Sequence, residues 1–74
     1  MTRLPVLAGD ELVRILGRFG YDFDRQTGSH VILRYGLPPH RRVTVPLHRA
    51  IAKGTLRAIL RHTGITVEQL LERR

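Results

Sequence analysis

The sequence predicts an α+β fold, a three-stranded antiparallel sheet with helices packed on one face. Three observations lead there. Apolar residues recur at helical spacing near both ends of the chain, apolar and charged residues alternate in the middle, and the connections are short. The chain has 74 residues, enough for two layers around one small core, so a single domain over residues 1–74 is expected. A chain of this size hides only about 60% of its unfolded surface on folding. It contains no cysteine, so neither disulfides nor thiolate metal sites can add stability.

Residues 1–7 read as a lead-in. A helix begins at Gly9, with Leu12, Ile15, Leu16 and Phe19 on one face. Asp10 and Glu11 sit in its first turn and Arg14 and Arg18 near its end, as the helix dipole prefers. Gly20 suits a left-handed terminating residue, and Gly17 weakens the last turn. Residues 21–25 alternate apolar and charged side chains, so a strand with Tyr21 and Phe23 inward is expected. Gln26, Thr27 and Gly28 are turn residues. Residues 29–35 form a second strand, with Val31, Leu33 and Tyr35 on one face and His30, Ile32 and Arg34 on the other.

Pro38 and Pro39 mark residues 36–40 as a loop, because proline cannot donate to a ladder. Residues 41–45 are the third strand, with Val43 and Val45 inward and Arg42 and Thr44 outward, and Pro46 ends it. After a linker over 47–53, Thr55 is expected to cap a helix starting at Leu56, with Leu56, Ile59 and Leu60 inward. Gly64 ends that helix. Thr66 caps a short last helix with Gln69 at the reciprocal capping position, and Val67, Leu70 and Leu71 face the core.

Charge narrows the function. Thirteen Lys and Arg against six Asp and Glu give a net charge of +7, and Lys53 is the sole lysine. Arginine presents a planar fork that matches phosphate, so a nucleic-acid partner is the first expectation. No apolar run approaches the roughly 18–20 residues that span a bilayer, and the first residues do not read as a signal peptide. The cytoplasm is therefore expected, with no membrane partner. Neither GxGxxG nor GxxxxGK[ST] occurs, and aromatic residues are 5%, too few for a base-stacking platform.

The four histidines carry the remaining chemistry. No pair has i, i+4 spacing and none clusters as in a zinc site, so no metal and no cofactor are expected. His40 and His62 read as solvated residues. His30 follows Gly28 and Ser29 and opens a strand on the open face, near Arg34 and, across the sheet, Arg42. An imidazole titrating near pH 6.5 beside guanidinium groups can take the 2′-hydroxyl proton of RNA while the cations steady the phosphate. The same spacing also fits a surface histidine after a hairpin turn. His48 follows Pro46 and Leu47, where it either reaches the edge near His30 or braces the linker. Residues 54–71 outline a helix-turn-helix, but Glu68 and Glu72 on its second helix would repel phosphate.

Gly9-Asp10-Glu11-Leu12 running into Phe19-Gly20-Tyr21, then Gly28-Ser29-His30, Val45-Pro46-Leu47-His48, Lys53-Gly54-Thr55-Leu56 with Ile59-Leu60, and Gly64-Ile65-Thr66-Val67-Glu68-Gln69 resemble, in this order, the HicA toxins, also called the YcfA-like family. The resemblance runs from about Gly9 to Leu71. The Pro-rich loop over residues 36–40 departs from it, since relatives often carry a tight polar turn there. The resemblance implies a double-stranded-RNA-binding-like α-β-β-β-α fold and an mRNA interferase silenced by a HicB antitoxin. It also implies that the histidine after Gly-Ser, here His30, is the functional one, with Gly28 in the same motif and His48 as the second histidine.

The combined reading is a toxin of a type II toxin-antitoxin system, a metal-independent endoribonuclease with His30 catalytic. Gly28, Ser29, Arg34, Arg42, His48 and Lys53 are the expected RNA contacts, and mRNA and a HicB-like antitoxin the expected partners. The alternative, from another class, is a non-catalytic RNA- or DNA-binding module. Whether RNA is cut or merely retained separates the two.

Overall fold

A computed structural model describes residues 3–74; Met1 and Thr2, where the expected lead-in starts, lie outside the described residues. The elements run α1 (Gly9–Gly17), β1 (Tyr21–Thr27), β2 (His30–Tyr35), β3 (Arg42–Pro46), α2 (Lys53–Thr63) and α3 (Val67–Glu72). The strands pair antiparallel in the order β1-β2-β3. The result is an α-β-β-β-α arrangement of the double-stranded-RNA-binding type with a short additional helix.

The apolar periodicity explains the layering. Leu12, Ile15 and Leu16 of α1 and Leu56, Ile59 and Leu60 of α2 are buried against Val31, Leu33, Val43 and Val45 on one sheet face. Burying each such side chain contributes roughly 1.5–3 kcal/mol. Leu70 of α3 is fully buried, whereas Leu71 is 38% exposed, so that helix turns one leucine inward and not two. Leu7 and Ile51, from the segments read as lead-in and linker, are also core residues. They meet because the two segments pair: Ile51 N–H donates to Leu7 O at 2.8 Å and Gly9 N–H donates to His48 O at 2.9 Å.

Gly9 is held there by close approach. A Cβ on it would lie 2.1 Å from Pro46 O and 2.7 Å from Leu47 Cα. The start of α1 therefore rests directly on the main chain leaving β3.

Several expected details differ. β1 runs on to Thr27, with a bulge between Phe23 and Arg25. Phe23 pairs with buried Leu33 on the helix side, yet it is 63% exposed, because β1 is an edge strand and no described residue covers it there. Tyr21, at the other end of the inner face, is buried beside Tyr35 with ring centroids 5.0 Å apart. Burial raises its phenol pKa, and Tyr35 adds to the rise. β3 starts and ends one residue later than expected, so Pro46 closes the strand as a buried member of it.

Helix α2 begins at Lys53, with Ala52 at its cap position and no side-chain cap, so Thr55 lies inside the first turn. Gly64 ends the helix at φ 76° as expected. Thr66 accepts from Gln69 N–H at 3.1 Å, and Gln69 Oε1 accepts from Thr66 N–H at 2.9 Å. Thr66→Ala should therefore cost about 1 kcal/mol in chemical denaturation, and Thr55→Ala much less. An equal loss from both would contradict this assignment of the caps.

Candidate nucleic-acid interface

The face of the sheet away from the helices is built by register. Thr27, His30 and Pro46 form one cross-strand row, Arg25, Ile32 and Thr44 the next, and Asp22, Arg34 and Arg42 the third. Side chains directly opposite one another share a face, and rows two residues apart share it too. His30 and Arg34 thus lie on the same open face, about 13 Å apart along β2 at the usual strand rise.

The β1–β2 hairpin aims the histidine. Thr27 pairs with His30, leaving Gly28 and Ser29 as a two-residue turn. Gly28 has φ 57°, which glycine adopts without strain, and a Cβ there would touch nothing within 4 Å. The turn is open to a ligand. Ser29 O accepts from Leu47 N–H, which ties the hairpin to the end of β3. His30, Gly28, Ser29 and His48 are all exposed and gather at this end of the sheet. His48 braces its neighbourhood through its main-chain carbonyl on Gly9, which leaves the imidazole at the surface.

The cations differ in their engagement. Arg42 Nε donates to Asp24 Oδ2 at 3.1 Å across the sheet. The β1 bulge lets Asp24 reach over in this way. Both side chains keep substantial exposure, 56% and 28%, so the pair contributes within about 0–1 kcal/mol. Arg34, half-buried between Asp22 and Arg42 in the ladder, forms no ion pair among the described residues. Lys53 opens α2, after the segment that leaves β3 at the His30 end; the first turn of α2 holds no acidic residue. Its side chain lines a groove on the helix side, away from the face that carries His30 and Arg34.

Of the two histidines read as solvated, His62 is exposed and His40 half-buried, and each also has a structural partner. His40 Nδ1 lies 3.1 Å from Tyr35 O, at a residue with φ 57°, and closes the β2–β3 loop. His62 Nε2 lies 2.9 Å from Arg42 O and ties α2 to β3. The pairing of Asp24 with Arg42 is the part of the interface that the sequence does not show. The outward position of Asp24 was visible in the alternation of β1, but its partner is 18 residues away and depends on the bulge. Among the described residues no three His, Asp or Glu side chains group closely enough to hold a metal ion. The C-terminal helix of the helix-turn-helix outline has only six residues.

Residues 9–65 match a protein family described as the HicA toxin of bacterial toxin-antitoxin systems. The chain belongs to the HicA toxin family. The match spans α1, the whole sheet and α2, and so includes His30, Arg34, Arg42 and His48. No curated protein matches the chain. HicA membership makes it a toxin of a toxin-antitoxin system, broadly of the mRNA-interferase kind, with RNA targets and an antitoxin partner. No helix among the described residues is long and apolar enough to cross a membrane.

Proposed function

We propose that this HicA chain is the toxin of a type II system and a metal-independent endoribonuclease acting on mRNA in the cytoplasm, with His30 as its catalytic base. The observation that carries this reading is the register. It sets an exposed imidazole at an open glycine turn and an Arg34 without an ion pair among the described residues on the sheet face away from the helices.

In this reading RNA lies along the open face. Gly28 and Ser29 let its backbone approach, and Arg34 and Arg42 hold phosphate, with His48 at the His30 end of the sheet; Lys53, in the groove on the helix side, lies outside this path. His30 takes the proton of a ribose 2′-hydroxyl. The 2′-oxygen then bonds to the adjacent phosphorus, the bond to the 5′-oxygen breaks, and that oxygen leaves with a proton from water. The products are a 2′,3′-cyclic phosphate and a 5′-hydroxyl. Arg34 and Arg42, about 13 Å along the sheet from His30, hold phosphates further along the RNA and fix its register on this face. A HicB-like antitoxin with acidic residues would be steered to this face and cover His30.

The deciding experiment incubates the purified chain with a defined RNA in excess EDTA. Cutting supports the nuclease. Retention of intact RNA would favour the alternative of a binding module, and a strict need for Mg²⁺ or Mn²⁺ would overturn the metal-independent chemistry.

The Asp24–Arg42 pair gives a further expectation. Asp24→Asn frees Arg42 and removes a negative charge from the path of the RNA. Affinity should rise severalfold, and the slope of log K against log salt should steepen by up to about 1. Arg34→Ala should make that slope shallower by a similar amount. Filter binding at several salt concentrations reads both changes, and unchanged slopes would remove these residues from the RNA path.

A further inference from the structure

A groove of ≈1020 Å³ runs between the N-terminal segment, α2 and the α2–α3 turn, on the helix side of the molecule. Its apolar lining is aliphatic: Leu4, Val6 and Val67 reach the surface, and the core residues Leu60 and Ile65 lie beneath them. Val6 is 71% exposed. Its charged lining is wholly cationic, with Arg3, Lys53, Arg57 and Arg61 and no acid. Among the described residues none of these four is in an ion pair. Lys53, Arg57 and Arg61 fall four residues apart on α2, so they form a row with a repeat of about 6 Å along the helix axis.

We propose that this groove is a second docking surface, and that its occupant is an acidic amphipathic helix of a partner protein. An aliphatic strip flanked by a row of cations is complementary to a helix with apolar residues on one side and carboxylates at every fourth position beside it. RNA fits less well, because the lining has no aromatic ring to stack a base and its aliphatic residues offer a ribose-phosphate chain nothing. The groove lies on the opposite side from His30 and Arg34, so a partner held here leaves the open sheet face accessible. The inference therefore stands independently of the nuclease reading.

The test uses ¹⁵N-labelled chain and a synthetic 15-residue helical peptide with Glu at every fourth position and Leu along the adjacent face. Its controls are a scrambled peptide of the same composition and a single-stranded RNA. The peptide should shift amide signals of Arg57, Leu60, Gly64 and Ile65 saturably and leave those of His30 and Arg34 in place. Arg57→Glu with Arg61→Glu should weaken it at least tenfold, with a native far-UV CD spectrum and unchanged RNA cleavage. Binding of the scrambled peptide with equal affinity, peptide shifts confined to the sheet face, or no saturable shift would each overturn the proposal. RNA shifting the groove amides and displacing the peptide would assign the groove to nucleic acid instead.

Discussion

Replacing His30 by Ala is expected to lower RNA cleavage by about 10²–10⁴-fold, the usual contribution of a positioned acid–base group. The protein itself should stay folded. His30 is exposed at the start of β2, and the core beneath that strand is made by Val31 and Leu33. Truncation at Cβ therefore opens no cavity and leaves no buried polar group without a partner. Expressed in cells, the variant should no longer arrest growth, and its far-UV CD spectrum should be that of the parent. A folded His30→Ala chain with full activity would remove His30 from the chemistry and direct attention to His48, the other imidazole at this end of the sheet.

Gly9→Ala should be the most damaging single methyl in the chain. The added carbon would sit 2.1 Å from Pro46 O, far inside contact distance, and both partners are main chain. Either α1 lifts away or the end of β3 moves, and each movement strains the Gly9 N–H bond to His48 O. Overpacking of this kind costs typically 1–3 kcal/mol, a large share of the stability of a domain this small. Gly17→Ala is the internal control. It lies in the last turn of the same helix, a Cβ there meets nothing within 4 Å, and alanine should gain up to about 1 kcal/mol. Urea denaturation of the two variants should move in opposite directions. Equal midpoints would mean that α1 is not seated on the Pro46–Leu47 backbone.

Local pattern made the layers legible and left the long-range joints unread. The spacing of Leu12, Ile15 and Leu16, the alternation in β2 and β3, and the Thr66–Gln69 box each depend on neighbours within a few residues, and each appears in the structure as the sequence implies. Gly9 looked like an ordinary helix start because the atoms that exclude a side chain there belong to residues 46 and 47. Leu7 and Ile51 looked like connecting chain because neither segment has a periodic pattern, and their burial comes from pairing with each other. Thr55 is not a cap, because the chain after Ile51 already turns helical at Lys53 and leaves Thr55 inside the first turn.

For the site, the same division holds. The face on which His30, Arg34 and Arg42 lie follows from period-two alternation, and cross-strand register brings Arg42 opposite Arg34. The engagement of Arg42 by Asp24 needs a bulge that no local signal announced. The roles of His40 and His62 rest on carbonyls of Tyr35 and Arg42 that the fold alone delivers. Arg73 and Arg74, which follow α3, are held as well. Arg73 lies 5.6 Å over the Phe19 ring, and Arg74 pairs with Glu11 at 3.2 Å.

In the proposed mechanism His30 starts RNA cleavage by taking a proton from the ribose 2′-hydroxyl. This step is tested most directly by cutting a defined RNA with the chain in EDTA and comparing the same strand with a single 2′-deoxy residue on the 5′ side of the cut. The RNA should yield a 2′,3′-cyclic phosphate and a 5′-hydroxyl, and the strand should stay uncut at the 2′-deoxy position. Cleavage that persists there, or fragments that carry a 5′-phosphate and a 3′-hydroxyl, would contradict that mechanism.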